Sequence, residues 1–495
     1  VTYNADGSVA IPWNQLGSDI LGTRHNYPIG KGLTLTGDGS TLAVLAHPRS
    51  GNGSFAAEIE IYNYDQDTNK WEDTPQVINL NNSSETDNGE TIEFTTDGKY
   101  LITGVRSSSI GLVDIFSKTV DGTYEPHSQI KNIILPNQLV LDAAISDDGL
   151  TAIVGFPHTS QDSRDYGTGK AIIYKYIDND WQQIGDVLEG VDKSETIPYY
   201  SDDRFGSSVA LSTDGSFAAV GASGYGVETR GYVNVYEISD DSWIKIDQIN
   251  GPGYGENSNA RYNDSTKFDN DQFGRTIDIA GDSTRRVLAI GAHGIGGISP
   301  INYLDTETGK VFVYEFADGE RRSLGNDGIT PNLTLDSAKQ RFGHTVRLSD
   351  DGYKLAVSAT EFRATIGGIN EVGQVNVYQY QKDSDTWTNE IEIYGVGSSR
   401  LGGGKTVAIS ADGSVFAASN DGKRIDGVFL GSVEVYGEHQ GYFTISRDGN
   451  SGSATIDPFT GEWVYTPVEN FNGRDYFIVT SMDDQGLTTE QVIAL

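Results

Sequence analysis

The most regular feature of the sequence is a short apolar segment, a turn that contains Asp-Gly, and a second apolar segment. The copy from Phe205 to Ala222 has this form, and so has the copy from Phe342 to Ala359. Odd-numbered and even-numbered positions of these segments are both nearly all apolar, which predicts strands buried on both faces. The turn recurs seven times, at Asp38-Gly39, Asp97-Gly98, Asp148-Gly149, Asp214-Gly215, Asp282-Ser283, Asp351-Gly352 and Asp412-Gly413.

Each copy has a second half with a two-residue period. It contains Gly-x-Val-x-Val-Tyr, as in Gly231 to Tyr236, and then a segment that usually opens with Trp, as at Trp181 and Trp243. Four strands in each of seven units predict an all-β fold, a seven-bladed β-propeller with four-stranded blades.

The last unit lacks its fourth segment. It ends at Tyr436, whereas a free Trp-led segment, Trp13 to Ile20, stands at the N-terminus and is similar to the one at Trp181. We therefore predict a propeller over residues 1–437, closed by residues 11–20, which complete the last blade and remove an exposed sheet edge. An open solenoid is the alternative.

A different pattern begins near Gln440 and predicts a small C-terminal β-sandwich over residues 438–495. The elements Tyr-x-Pro at Tyr465, Asn-Phe-Asn-Gly at Asn470, Asp-x-Phe at Asp475 and Asp-Asp-x-Gly at Asp483 follow in order. They resemble the cadherin-like, Ig-type repeats of giant bacterial (RTX-type) surface adhesins. The segment is shorter than a full repeat, so its first strands are missing, contributed from upstream, or split around the propeller.

The blades also resemble the FG-GAP-like repeats of surface and integrin-type proteins, through Phe-Gly followed by Ser-x-Asp-Gly. The Asp-x-Asp-x-Asp-Gly calcium loop of those blades is not present in full. Their calcium sites therefore do not transfer to this chain.

The composition of the chain limits the kinds of partner that it can bind. The formal charge is -35, from 70 acidic and 35 basic residues, and the chain has no Cys. Such a surface repels nucleic acid phosphates. No apolar run approaches the roughly 20 residues that span a bilayer, so no membrane insertion is expected. We expect a monomeric module at the bacterial cell surface, outside the cell, next to other adhesin domains.

Long loops predict where a ligand binds. They lie on the rim opposite the Asp-Gly turns, in blades three to six, and combine aromatic rings with carboxylates, which suits sugar rings. Turn capping and packing of Tyr over the blade is the alternative for each residue. The candidates are Tyr199, Tyr200, Asp202, Asp203, Arg204, Tyr254, Tyr262, Phe268 and Tyr303.

Clustered carboxylates predict calcium, which takes six to eight oxygen ligands. Asp264, Asp269 and Asp271 are close enough in sequence to share one ion. The resemblance to adhesin repeats implies a second site at Asp475, Asp483 and Asp484. Ordinary turn capping is again the alternative.

No nucleophile elbow, phosphate loop or His-based metal spacing occurs in the sequence, so no enzyme is indicated. We expect an adhesion module that binds a glycan or another ligand on a host or biofilm surface. The alternatives are a secreted polysaccharide lyase or glycosidase, with Asp203 and Tyr200 or His158 as acid and base, and a passive spacer. Arg204, Arg341 and Arg400 share one repeat position, which favours a structural role over an anion clamp.

Overall fold

The computed structural model describes residues 13–24, 28–46, 57–66, 68–80, 91–106, 111–130, 140, 142–157, 169–190, 204–224, 231–239, 242–252, 272–295, 308–325, 328–329, 340–366, 369–396, 407–438, 442–456, 463–482 and 488–495. Regular structure in these ranges is all β. The chain forms two compact units, Leu16–Val435 and Val1–Gln15 with Tyr436–Leu495.

The first three sheets follow two short N-terminal strands, β1 (Trp13–Gln15) and β2 (Ile20–Leu21). Sheet 1 contains β3 (Ile29–Leu35), β4 (Thr41–Ala46), β5 (Glu58–Asp65), β6 (Lys70–Trp71) and β7 (Gln76–Asn79). Sheet 2 contains β8 (Ile92–Phe94), β9 (Tyr100–Arg106), β10 (Gly111–Lys118) and β11 (Tyr124–Ile130). Sheet 3 contains β12 (Asp142–Ile145), β13 (Thr151–Phe156), β14 (Lys170–Ile177), β15 (Asp180–Gln183) and β16 (Leu188–Glu189).

Four more sheets repeat this plan. Sheet 4 contains β17 (Phe205–Leu211), β18 (Phe217–Ala222), β19 (Tyr232–Ser239) and β20 (Ser242–Asn250). Sheet 5 contains β21 (Thr276–Gly281), β22 (Arg286–Ala292), β23 (Lys310–Ala317) and β24 (Glu320–Ser323). Sheet 6 contains β25 (Phe342–Leu348), β26 (Lys354–Ile366), β27 (Ile369–Gln381) and β28 (Thr386–Val396). Sheet 7 contains β29 (Val407–Ile409), β30 (Val415–Asn420) and β33 (Ser432–Glu438), with the hairpin β31 (Arg424–Ile425) and β32 (Val428–Phe429) before β33.

Each sheet is an antiparallel meander, and apolar side chains between neighbouring sheets form the core. One such cluster contains Val209 and Val220 of sheet 4 with Ile153 and Ile173 of sheet 3. Another joins Val44 of sheet 1 to sheet 7. Seven consecutive sheets of this kind confirm the predicted all-β, seven-bladed propeller fold.

The Ser/Thr-x-Asp-Gly turn is a self-contained hydrogen-bonded unit. The Ser212 hydroxyl donates to Asp214 Oδ1 at 2.6 Å, and the same oxygen accepts the Ser216 amide at 3.0 Å. The carboxylate therefore caps its own turn. The same hydroxyl–carboxylate pair recurs in six sheets, as Thr36–Asp38, Thr95–Asp97, Ser146–Asp148, Ser212–Asp214, Ser349–Asp351 and Ser410–Asp412.

The recurrent Phe-Gly pair marks a close contact between sheets. Phe205 is fully buried, and Gly206 follows it with a φ of 86°. A Cβ on Gly206 would lie 2.2 Å from the carbonyl oxygen of Lys170 in sheet 3. Both the left-handed backbone and the short distance require glycine there.

The N-terminal strands pair with the last sheet. Ile20 lies opposite Val433 in an antiparallel ladder, and the Leu16 amide donates to the Val435 carbonyl at 2.8 Å. In addition, the Trp71 indole donates to the Leu16 carbonyl at 3.0 Å, as the Trp387 indole of sheet 6 does to Leu324 of sheet 5. Residues 16–21 thus make the contacts of a fourth strand.

The C-terminal strands form two small sheets. One has the order β34 (Tyr442–Arg447), β37 (Tyr476–Met482) and β38 (Thr488–Ala494), and the other pairs β35 (Gly452–Ile456) with β36 (Trp463–Pro467). Phe477 is fully buried, with its ring 5.1 Å from that of Trp463 and stacked 6.2 Å from that of Tyr465. This aromatic cluster joins the two sheets as in a β-sandwich.

We predict that Ile20→Ala lowers the free energy of unfolding by about 2 to 4 kcal/mol, because Ile20 is 6% exposed in the core between sheets 7 and 1. Ile244→Ala is the matched control, since that side chain is 50% exposed. Urea denaturation of both variants measures the effect. Equal stabilities would show that the N-terminal segment adds nothing to the last sheet.

Candidate functional site

The first strands of the sheets surround a central channel. A cavity of about 100 Å³ is lined by residues from the first strands and turns of all seven sheets. A second cavity, of about 60 Å³, is lined by sheets 2 to 6. Since the sheets are repeats, the lining falls into three layers at fixed positions before the turn Asp, named below the turn layer, the middle layer and the loop layer.

The turn layer is the residue immediately before each turn Asp. Its backbone bonds run from sheet to sheet: the Gly37 amide donates to the Thr96 carbonyl at 2.7 Å and the Ala411 amide to the Gly37 carbonyl at 2.8 Å. The acidic members are Asp147, whose Oδ1 accepts the Thr96 amide at 2.7 Å, and Asp350. The layer comprises Gly37, Thr96, Asp147, Thr213, Gly281, Asp350 and Ala411.

The surroundings of the two turn-layer carboxyls, Asp147 and Asp350, favour their protonated forms. Burial and the neighbouring Asp147 carboxylate raise the pKa of Asp350 to about 6. Burial also raises the pKa of Asp147. Both carboxyls at this end of the channel therefore hold their protons to a higher pH than an exposed aspartate does.

The middle layer lies four residues before each turn Asp and carries the charges at the centre of the channel. Asp278 Oδ2 accepts the Leu348 amide of the next sheet at 2.7 Å. Burial raises the pKa of Asp278, while the Arg347 charge opposes that rise. The layer comprises Thr34, Glu93, Ala144, Ala210, Asp278, Arg347 and Ala408.

The loop layer lies seven residues before each turn Asp, directly after Phe-Gly or its equivalent. Ser207, Arg275 and His344 belong to it and line the smaller cavity. The Arg275 amide donates to the Gln272 carbonyl at 3.1 Å in a turn that fixes where this side chain leaves the backbone. Lys31 is the equivalent residue of sheet 1, whereas Glu90, Leu141 and Lys405 lie outside the described residues.

Most of the ligand-binding residues predicted from the sequence lie outside the described residues. Arg204 is described: it has a left-handed φ of 50° and its carbonyl accepts the Ser207 amide at 3.0 Å, so it opens the turn before β17. Gln272 and Arg341 have the same left-handed backbone at the equivalent position. Outside the described ranges lie Tyr199, Tyr200, Asp202, Asp203, Tyr254, Tyr262, Phe268 and Tyr303.

Asp475 is the one predicted calcium ligand within the described ranges. Its carboxylate accepts the amides of Asn450, Ser451 and Tyr476, at 2.7 to 3.0 Å, and the Tyr465 hydroxyl at 2.5 Å. The Tyr465 hydrogen bond and these amides lower the pKa of Asp475 to about 2. The contacts favour the turn-stabilising alternative for this residue.

No metal site is evident in the part of the chain that the structure describes. No group of three or more His, Asp and Glu in those ranges is placed to hold an ion. The remaining predicted ligands, Asp264, Asp269, Asp271, Asp483 and Asp484, lie in ranges that are not described. None of the described residues forms a helix long and apolar enough to cross a membrane.

The basic side chains of the loop layer can be recognised in the sequence only by comparing the repeats with one another. When the seven copies are aligned on the turn Asp, the residue after Phe-Gly is Arg275 in sheet 5 and His344 in sheet 6, and its equivalent in sheet 1 is Lys31. The same position is Glu90 in sheet 2, Leu141 in sheet 3 and Ser207 in sheet 4, so the basic side chains are confined to part of the repeat. The Phe-Gly pair alone indicates only where the first strand of a sheet begins.

A family model of bacterial Ig domains matches residues 425–495. The C-terminal segment is therefore similar to a bacterial Ig domain, a type of module typical of surface proteins, in agreement with the Ig-type sandwich predicted from its motifs. The match begins before β33, upstream of the predicted boundary at residue 438. It includes no part of sheets 1 to 6.

The propeller is similar to several solved structures at low identity. U3-55K is 12% identical, with 85% of this chain and 99% of that chain covered and a TM-score of 0.46. The WD40 domain of SCAP from fission yeast is 8% identical, with 86% and 98% covered and a TM-score of 0.42. A putative 6-phosphogluconolactonase from Bacteroides uniformis is 12% identical, with 74% and 85% covered and a TM-score of 0.39. A search of curated proteins finds no match.

We predict that Asp350→Asn stabilises the protein at pH 7.5 by roughly 1 to 2 kcal/mol. The folded state binds the Asp350 proton more tightly than the unfolded state, so stability falls as the pH rises from about 4 through about 6. Thermal unfolding from pH 4 to 8 should show a gain that is full above pH 6 and disappears near pH 4. Asp383→Asn, an exposed control, should show no such pH dependence. A pH-independent gain for Asp350→Asn would contradict the prediction.

Proposed function

We propose that this chain is an extracellular ligand-binding module of a large bacterial surface adhesin, of the RTX type with FG-GAP-like blades, and that it does not act as an enzyme. The observation that carries the proposal is the bacterial Ig domain match over residues 425–495 beside the propeller. Bacterial Ig domains are typical of surface proteins, and we propose that the propeller in the same chain supplies the ligand-binding surface.

The ligand is proposed to be a glycan, or another ligand on a host or biofilm surface, bound where the long loops emerge. Those loops lead into the first strands, next to the loop layer that contains Arg275 and His344. Loops that connect elements of a rigid scaffold commonly carry binding residues. Their tyrosines would stack on sugar rings while the channel residues below supply polar contacts.

We predict that a glycan array, probed with the full chain with and without Ca²⁺, returns a defined set of saccharides. Tyr200→Ala should then weaken binding by about 1 to 3 kcal/mol, the effect of losing one stacked aromatic ring. Asp214→Ala is the control: it should reduce stability through its turn and leave affinity unchanged. Titration calorimetry with the best saccharide measures both.

Two outcomes would count against this proposal. If Asp214→Ala lost binding while Tyr200→Ala kept it, the ligand would lie on the opposite rim. If incubation released shortened oligosaccharides, the lyase or glycosidase alternative would replace the adhesion module, and Asp203→Asn and His158→Gln would identify its acid and base.

Calcium is proposed as a stabilising ion of the acidic turns, with Asp483 and Asp484 as ligands in the C-terminal segment. An ion that binds only the folded state raises its stability by mass action. We predict that EGTA lowers a thermal transition of the full chain and that added Ca²⁺, but not Mg²⁺, restores it. The double variant Asp483→Asn and Asp484→Asn should lack this response. An unchanged calorimetric profile in EGTA would assign these residues to turn capping alone.

A further inference from the structure

The loop layer concentrates positive charge in a strongly acidic protein. The chain has a formal charge of -35, yet this repeat position carries Lys31 in sheet 1, Arg275 in sheet 5 and His344 in sheet 6. The same position in sheet 7 is Lys405, outside the described residues. Sheets 5, 6, 7 and 1 are consecutive, because sheet 7 is hydrogen-bonded to sheet 1 through Ala411 and Gly37. The described basic groups therefore belong to sheets 5, 6 and 1.

Two of these groups face the same cavity. Arg275 and His344 both line the cavity of about 60 Å³, together with Ser207, whose position in sheet 4 is equivalent. A guanidinium, an imidazole and a hydroxyl are all donors suited to an oxoanion. The cavity is large enough for one carboxylate or sulfate group and too small for a whole sugar ring.

A buried histidine, His293, lies next to His344. The His293 ring lies 5.1 Å from the ring of His344 and is 3% exposed. Within the described part of the chain, His293 Nδ1 has no hydrogen-bond partner, which is costly for a buried polar atom. Burial, followed by the charges of His344, Arg275 and Arg341, lowers the pKa of His293 well below its ordinary value. Burial and the neighbouring positive charges therefore disfavour protonation of His293.

Three acidic residues line the same cavity, Glu93, Asp142 and Asp278, and the last two are hydrogen-bonded to neighbouring sheets. Asp142 Oδ2 accepts the Val209 amide at 3.0 Å and its Oδ1 accepts the Thr91 hydroxyl at 3.0 Å. Asp278 accepts the Leu348 amide at 2.7 Å. Both carboxylates satisfy backbone donors of neighbouring sheets, so their charge is partly compensated there and opposes an anion in the loop layer less.

We propose that the loop layer binds a single oxoanionic group, a carboxylate or sulfate, between Arg275 and His344. The source that fits the proposed function is an acidic saccharide whose charged group enters the cavity. The identity of this source rests on the proposed function, whereas the anion site itself does not. A free inorganic anion is the other source.

The experiment follows histidine ring resonances by NMR in the full chain, which has seven His. Sodium sulfate, glucuronate and glucose are titrated at constant ionic strength against sodium chloride, and His344→Gln assigns the His344 signal. Sulfate and glucuronate should give a saturable shift of the His344 resonance and raise its titration midpoint, whereas glucose should not. Binding of glucuronate tighter than that of sulfate identifies the saccharide as the source, and the reverse order identifies the free anion.

Variants test the residues. Arg275→Gln should weaken sulfate binding at least fivefold, with Arg275→Lys retaining part of it, whereas Arg474→Gln, the same change at an exposed residue of the C-terminal segment, should leave it unchanged. Absence of a saturable His344 shift in the wild-type chain would overturn the inference, whatever the folding of the variants. Unchanged affinity in a folded Arg275→Gln would also overturn it.

The array separates the two proposals. An acidic saccharide that binds wild type and Arg275→Gln equally well would leave the proposed function standing and show that its charged group does not bind at Arg275. Sulfate binding at His344 without any bound saccharide would keep the site and remove the glycan ligand.

Discussion

The first strand of every propeller sheet has an inner edge whose amides and carbonyls have no partner in their own sheet. The rest of the structure depends on hydrogen-bonding these edge groups. Neighbouring sheets supply the acceptors: Asp142 accepts the Val209 amide, Asp278 accepts the Leu348 amide, and the Thr34 hydroxyl accepts the Phe94 amide at 3.1 Å. An unpaired buried amide costs about 1 to 3 kcal/mol. The channel must therefore be polar even where it binds nothing.

This constraint explains why polar residues of the channel do not all indicate a function. The middle layer contains carboxylates because they are good acceptors for edge amides, and burial raises the pKa of Asp278 as a consequence. The turn layer uses backbone groups for the same purpose, with Asp147 as a side-chain acceptor. A perturbed carboxyl in such a place is first a structural acceptor, and catalysis needs further evidence.

The loop layer differs in this respect. The Arg275 guanidinium only donates and cannot satisfy an edge amide, and the His344 ring can accept a hydrogen bond only when it is neutral. They line the smaller cavity at the start of the first strands, where we propose that an anionic group binds. The buried His293 next to His344 adds a hydrogen-bonding atom without a partner in the described ranges.

The sequence by itself determined the parts that depend on local chemistry. Ser/Thr-x-Asp-Gly turns such as Ser212–Asp214 close through hydrogen bonds two residues apart, and Phe205-Gly206 requires a left-handed glycine, so both can be recognised from residue order. Alternating strands and the free Trp13 segment likewise indicated the repeat and its pairing with β33. The tertiary structure decided which side chains share the channel, since Arg275, His344 and Asp142 are distant in sequence and meet only when separate sheets surround one axis. It also decided the role of Asp475, because a carboxylate in a turn can bind an ion or backbone amides, and only the folded positions of Asn450, Ser451 and Tyr465 show that amides and a hydroxyl surround it.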